Sequence, residues 1–205
     1  MAAPAHKTIK DLDGKWLINK SISDSTDPIL ALQGVGWLTR KAINLATITQ
    51  HLSTTTGPPE EDPAGAPITH IVIQQSATGG VKGTTEKRAL DWTFRPHSDW
   101  LFGDLQGRSR YNSIAAILKE KEGKGVEETD AKFLCDGWLP ETLDGEVVES
   151  FVDNDGKQWT GLQLWGFSDV KGERWLTRRF AVRRKDRDEV VHARLVYEWV
   201  GELDA

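Results

Sequence analysis

Residues 147–152, 158–167, 174–182 and 190–200 are four β-rich runs in close succession, and they constrain the fold of this chain more than any other feature. Their Val, Leu, Trp, Phe and Tyr side chains pack well on a pleated surface. The links between them, Asp153-Asn154-Asp155-Gly156, Lys171-Gly172 and residues 185–188, carry the Gly, Asn and Asp that tight hairpin turns require. Sequential hairpins build an antiparallel meander, and a meander that closes on its first strand leaves no free edge. With 205 residues the chain can bury roughly 70% of its unfolded surface in one compact domain, so neither a disulfide nor a metal is needed to hold the core.

The upstream sequence supplies the remaining strands. Trp16, Ile18 and Lys20 alternate with Leu17, Asn19 and Ser21, as in a strand covered on both faces. Asp27-Pro28 reads as a helix start with Asp as the cap and Pro at the first helical position, which predicts a helix over 28–33. Gly34 and Gly36 bracket a turn, and Leu38, Ala42 and Leu45 recur at helical spacing over 37–45. Two helices this short must lean on something larger, so 27–45 reads as a helical lid. Strands are expected over 47–55, 68–77 and 84–94, and again over 100–105 and 108–119. The Pro-rich segment 56–67 and the charged segment 120–132 read as exposed loop insertions, and Asp136-Gly137-Trp138-Leu139-Pro140 as an apolar loop over one rim. The whole, 1–205, is expected to be all-β, a single antiparallel up-and-down β-barrel with a short helix-turn-helix lid after the first strand.

Several function classes are disfavoured. The net charge of −5 argues against a nucleic-acid partner, and the basic cluster Arg178-Arg179 with Arg183-Arg184-Lys185 is followed by Asp186, Asp188 and Glu189, as in a solvated hairpin. Cys135 is the single cysteine, and its neighbours Phe133 and Leu134 point to a buried, inert thiol. The N-terminus lacks the apolar core of a secretory signal and no apolar run is long enough to span a membrane, so a cytoplasmic protein without membrane insertion is expected. There is no Gly-x-Ser-x-Gly elbow, and Gly107-Arg108-Ser109-Arg110 lacks the spacing of a phosphate loop. The histidines at 6, 51, 70, 97 and 192 form no His-x-His or i,i+4 pair, so no metal site is expected.

Alternation singles out a binding face. Between Trp159 and Trp165 one face carries Trp159, Gly161, Gln163 and Trp165, which together offer two aromatic walls, an amide and room beside a glycine. Arg178 shares a face with Leu176 and Phe180, where burial without a partner would be costly. His51 and His70 are candidates to point inward from neighbouring strands. Nine tryptophans suit contact with flat or polycyclic ligands as well as ordinary packing.

Gly14 and Trp16, followed by Leu32, Gly34, Val35, Gly36, Arg40 and Lys41 with Gln33 inserted after the leucine, resemble the opening of an intracellular fatty-acid-binding protein. In that family Gly-x-Trp opens the first strand of a small calycin barrel, and a helix-turn-helix closes its mouth. The resemblance implies an apolar small molecule held inside. Fatty-acid members grip the ligand carboxylate with Arg-x-Tyr on the last strand. Here Tyr197 matches, but Leu195 stands where the arginine belongs, and Arg194, three residues before Tyr197, falls on the opposite face of a regular strand. Either a bulge turns Arg194 inward or the ligand is not a fatty acid.

The chain as a whole, including 33–41 and 136–140, also resembles a group of fungal lipocalin-like proteins, some of which act as hetero-Diels–Alderases in tropolone sesquiterpenoid and related meroterpenoid pathways. That resemblance implies a cofactor-free enzyme joining a quinone-methide-like diene to a terpene alkene. Its catalytic candidates are Gln163, Tyr197 and Arg178; its ligand-binding candidates are Trp37, His51, His70, Trp159, Trp165, Leu176, Phe180 and Leu195. A non-catalytic carrier of a fatty acid, lipid or pigment, and a barrel packed solid, stay open as alternatives.

Overall fold

The structure is a computed structural model that describes residues 1–121 and 128–204. Ten strands form one antiparallel sheet: β1 (Gly14–Ile18), β2 (Ile48–Gly57), β3 (Ile68–Ala77), β4 (Thr85–Ala89), β5 (Arg95–Asp99), β6 (Gly103–Asn112), β7 (Val147–Asn154), β8 (Trp159–Val170), β9 (Glu173–Arg184) and β10 (Val190–Gly201). Each strand pairs with the next except β4 with β5, and β1 pairs with β10, so the sheet curls into a barrel whose two free edges are β4 and β5. The segment between β2 and β3 straps that gap: Glu60 reaches Lys87 at 2.7 Å, and Glu61 pairs with Arg95.

One end of the barrel is solid. Leu12, Trp16, Leu52, Ile71, Ile73, Val148, Phe167, Leu176 and Trp199 fill it, and the Trp16 ring meets Trp199 edge-on at 4.8 Å. Gly14 explains how β1 passes this point, because a Cβ there would collide with the Trp199 ring and its φ of +133° suits only glycine. At the other end sits the lid, α1 (Asp27–Leu32) and α2 (Trp37–Leu45). Ile29 and Leu32 pack on Trp159, Val182 and Ala193. Asp27 is the first helical residue and Thr26 the cap, one position earlier than the sequence reading. The Asp27 carboxylate accepts from Arg40 Nε at 3.1 Å and Asn44 Nδ2 at 3.2 Å and ties the two helices together.

Four expectations in the middle of the chain are corrected. The strand expected over 100–105 begins only at Gly103, because residues 100–102 form the turn between β5 and β6. The strand expected over 84–94 stops at Ala89, because the Asp91 side chain caps a turn at Thr93 and Trp92 takes a positive φ of 63°. The strand expected over 108–119 ends at Asn112 and gives way to α3 (Ile114–Lys121). The segment 120–132 is helical in its described part, with α4 (Glu128–Cys135) burying Asp130 and Ala131; residues 122–127 lie outside the described residues. Ile114, Ile117, Leu134, Cys135 and Trp138 pack on the outward-facing Val147, Leu164 and Ala181, so this layer covers the outer wall of the barrel, while Leu139 packs against the inner cluster and its N–H donates to the Phe167 carbonyl at 2.9 Å.

The basic cluster is likewise not a solvated hairpin. Arg178 points inward, while Arg183 and His192 both bind the buried Asp130 of α4, the latter at 2.6 Å, and Arg179 donates to the Phe133 carbonyl at 2.9 Å. Arg184 pairs with Asp186 at the β9–β10 turn, and Lys185 with Asp153 at the end of β7. Among the described residues no helix is long and apolar enough to cross a membrane.

Candidate functional site

Between the solid end and the lid lies a cavity of about 590 Å³. Register decides what lines it. On β8 and β9, Gln163 pairs with Phe180 and Trp165 with Arg178; on β9 and β10, Arg178 pairs with Leu195 and Leu176 with Tyr197. The two-residue period of a strand therefore places Trp159, Gly161, Gln163 and Trp165, Leu176, Arg178 and Phe180, and Leu195 and Tyr197 on the interior face. The β9–β10 register runs unbroken from Val190 to Tyr197, so no bulge brings Arg194 inside. Its N–H bonds to Asp24 and its guanidinium to the Ile22 carbonyl, on the outer surface. An interior arginine nevertheless stands at the level of Leu195, supplied one strand over by Arg178.

Arg178 is the centre of the site. It is 4% exposed, and its Nε and Nη2 atoms have no hydrogen-bond partner. The guanidinium carbon lies 3.6 Å from the centre of the Trp165 ring and 4.9 Å from that of Tyr197. Burial pushes its pKa down, partly opposed by Tyr197. Burial pushes the Tyr197 phenol up, so it stays protonated as a donor, although Arg178 pulls the other way. Trp165 Nε1 donates to Gln163 Oε1 at 2.7 Å, which fixes that amide and leaves its NH2 group turned to the cavity.

A second interior cation, Arg88 on β4, differs in having a carboxylate. It pairs with Glu86 and donates to Ser150 Oγ, while Gln75 Nε2 donates to Glu86 at 3.1 Å. Burial pushes the Glu86 carboxyl up, but the charges of Arg88 and Arg178 outweigh it and hold the group ionised. Arg88 thus pairs directly with a carboxylate, although its Nε is unpaired, whereas Arg178 feels the Glu86 charge without a hydrogen bond to it.

Of the residues singled out from sequence, Gln163, Arg178, Tyr197, Trp159, Phe180 and Leu195 line the cavity. Trp165 and Leu176 lie inside the barrel but below it, Trp165 as the support under Arg178 and Leu176 within the apolar plug. His70 borders the outer margin, where Nε2 lies 3.1 Å from the Gly57 carbonyl, and it alternates with the buried Ile71 and Ile73. Two candidates are corrected. His51 alternates with the buried Gln50 and Leu52 and faces outward toward Ser76, and Trp37 is 59% exposed on the outside of the lid. Sequence reasoning missed Gln50, Glu86, Arg88 and Ser150. For Gln50 the signal was present, since it shares the parity of Leu52; the short polar run Thr-Glu-Lys-Arg-Ala of β4 reads as surface.

No protein-family model matches the chain. Along its full length the sequence is 32% identical over 204 residues to a probable pericyclase, scpY, of Mollisia scopiformis, covering 100% of this chain and 97% of the relative. It is 27% identical over 203 residues to the pericyclase pydY of Acremonium sp., covering 98% of each. Among solved structures, the fluorescent protein UnaG aligns with a TM-score of 0.48 at 12% identity over 92% of this chain and 97% of that one. As-p18, an extracellular fatty acid binding protein, aligns at 0.40 with 13% identity over 95% and 100%.

Proposed function

The chain belongs to the family of the two pericyclases it matches from end to end, and from that premise we propose that it is itself a pericyclase, a hetero-Diels–Alderase that joins a quinone-methide-like diene to a terpene alkene inside the barrel. The observation that carries this reading is Arg178: a buried cation with two unpaired donor nitrogens that lines the cavity together with apolar Trp159, Phe180 and Leu195.

In such a cycloaddition the C=O and C=C π bonds of the heterodiene and the π bond of the alkene are consumed. One C–C bond forms at the terminal carbon of the diene, one C–O bond forms at its oxygen, and one new C=C forms between the two central diene carbons, so no proton or electron is gained or lost. As electrons flow from alkene to diene, negative charge builds on the diene oxygen. A guanidinium already in place beside that oxygen stabilises the transition state more than the ground state. Tyr197 and the Gln163 NH2 group supply further donors, and Trp159 and Phe180 hold the flat ring. Holding both partners in register is worth up to about 7–11 kcal/mol in ideal cases.

Incubating the protein with a quinone-methide precursor and a terpene alkene, then chromatographing what is released, tests the reading. A pericyclase yields an adduct in a proportion not seen without protein. A carrier of a fatty acid, lipid or pigment returns its ligand unchanged, and that result would overturn the proposal.

A further inference from the structure

The cavity that Arg178 lines also holds a group of opposite hydrogen-bonding sense. Gln50, on β2, is 3% exposed, lines the cavity, and its Oε1 has no hydrogen-bond partner. The Tyr197 phenol stands between the two, interacting with the Gln50 side chain on one hand and with Arg178 on the other. A buried acceptor left unpaired is costly, as is a buried donor, and native interiors rarely keep either. Here orphan donors and an orphan acceptor flank a single hydroxyl and open on the same cavity.

We propose that Gln50 is a specificity residue that reads a hydrogen-bond donor on the substrate, so that the substrate carries an uncharged head in which an O–H or N–H sits beside the carbonyl taken by Arg178. This rests on the reading that the cavity is the substrate site. The complement of the floor is an acceptor for Arg178 Nε and Nη2 next to a donor for Gln50 Oε1. A carboxylate satisfies Arg178 but sets a negative oxygen against the Gln50 carbonyl, so simple fatty acids fit poorly. A ketone or quinone without a neighbouring donor fills half of the site. Hydroxy-carbonyl compounds, enolised dicarbonyls and secondary amides fill both.

Three rigid probes separate these cases: tropone, with a carbonyl alone; tropolone, with a hydroxyl beside it; and 2-methoxytropone, with that hydroxyl blocked. Calorimetric titration at mildly acidic pH keeps tropolone uncharged. The wild type is expected to bind tropolone about tenfold or more tightly than either of the others, the discrimination one buried hydrogen bond supports. In Gln50→Met the tropolone preference should vanish while tropone binds as before, which also shows the variant to be folded. Equal binding of tropone and tropolone by the wild type, or a preference that survives Gln50→Met, overturns the role of Gln50. The underlying site is tested separately by Arg178→Met, which must weaken all three; tropone binding that ignores this substitution removes the site reading itself.

Discussion

The Arg178 guanidinium stacks 3.6 Å above the Trp165 ring, and the two residues are register partners across β8 and β9. A desolvated cation over an aromatic face gains about 2 kcal/mol. That is small against the cost of burying a charge, and the ring satisfies none of the in-plane N–H groups. Trp165 therefore holds Arg178 in orientation while leaving its hydrogen-bonding capacity for a ligand.

Such a residue trades stability for function. Arg178→Met replaces a buried charge whose Nε and Nη2 are unpaired with an apolar side chain of similar length, and should raise unfolding free energy by about 1–3 kcal/mol. Urea denaturation of the ligand-free protein measures this, and a lower midpoint would contradict it.

Gln163→Ala acts in the other direction. It removes the acceptor of the buried Trp165 N–H, 2.7 Å away, and should destabilise by about 1–3 kcal/mol. The same urea series reads it, and a neutral effect would mean the indole finds another acceptor.

Gly166 marks how tightly the outer layer sits. A Cβ there would lie 2.6 Å from Thr142 Cγ2 and 3.1 Å from the Trp138 ring, and Thr142 is held by its hydrogen bonds to Phe167. Gly166→Ala should cost about 1–3 kcal/mol through overpacking, measured as a fall in thermal midpoint without change in ligand affinity.

Both tyrosines of the chain are shifted upward. Burial, with the charge of Glu146 added, pushes Tyr111 up to about 12, and burial pushes Tyr197 above the usual 10.0. Native protein should therefore show little tyrosinate absorbance at pH 10, whereas unfolded protein titrates there. Because the folded state keeps its protons longer, the associated stability is fully present below pH 10 and is lost as pH rises through the raised values. Superimposable native and unfolded titrations would refute the shifts.

The lid should gate exchange. Asp27→Ala frees Arg40 and Asn44, loosens α1 from α2, and should speed dissociation of a fluorescent apolar probe several-fold in stopped flow while leaving the cavity floor intact. An unchanged off-rate would place the exit elsewhere, the β4–β5 gap being the obvious alternative.

Much of the barrel was legible because strands advertise themselves by parity: the last four runs, the lid glycines and the interior face of Trp159, Gln163 and Arg178 all follow from a two-residue period or a turn residue. The outer helical layer was not. Ile114 and Ile117 show helical spacing over too few residues to outweigh the preceding strand pattern, and their apolar faces are explained only by the outward Val147 and Leu164 they cover. His51 failed because nothing local says which face of an isolated strand is the inside, and the buried parity is that of Gln50 and Leu52. The displacement of the interior arginine from the Leu195 position to Arg178 is a property of register between two strands, which a single sequence does not display.

The most direct test of the account is the rate of adduct formation from one diene–alkene pair by wild type, Arg178→Lys and Arg178→Met, each against the uncatalysed rate. The account predicts that Arg178→Met loses about 10²-fold or more in rate, with Arg178→Lys between, while affinity for the alkene alone is unchanged. Turnover by Arg178→Met at the wild-type rate would contradict it.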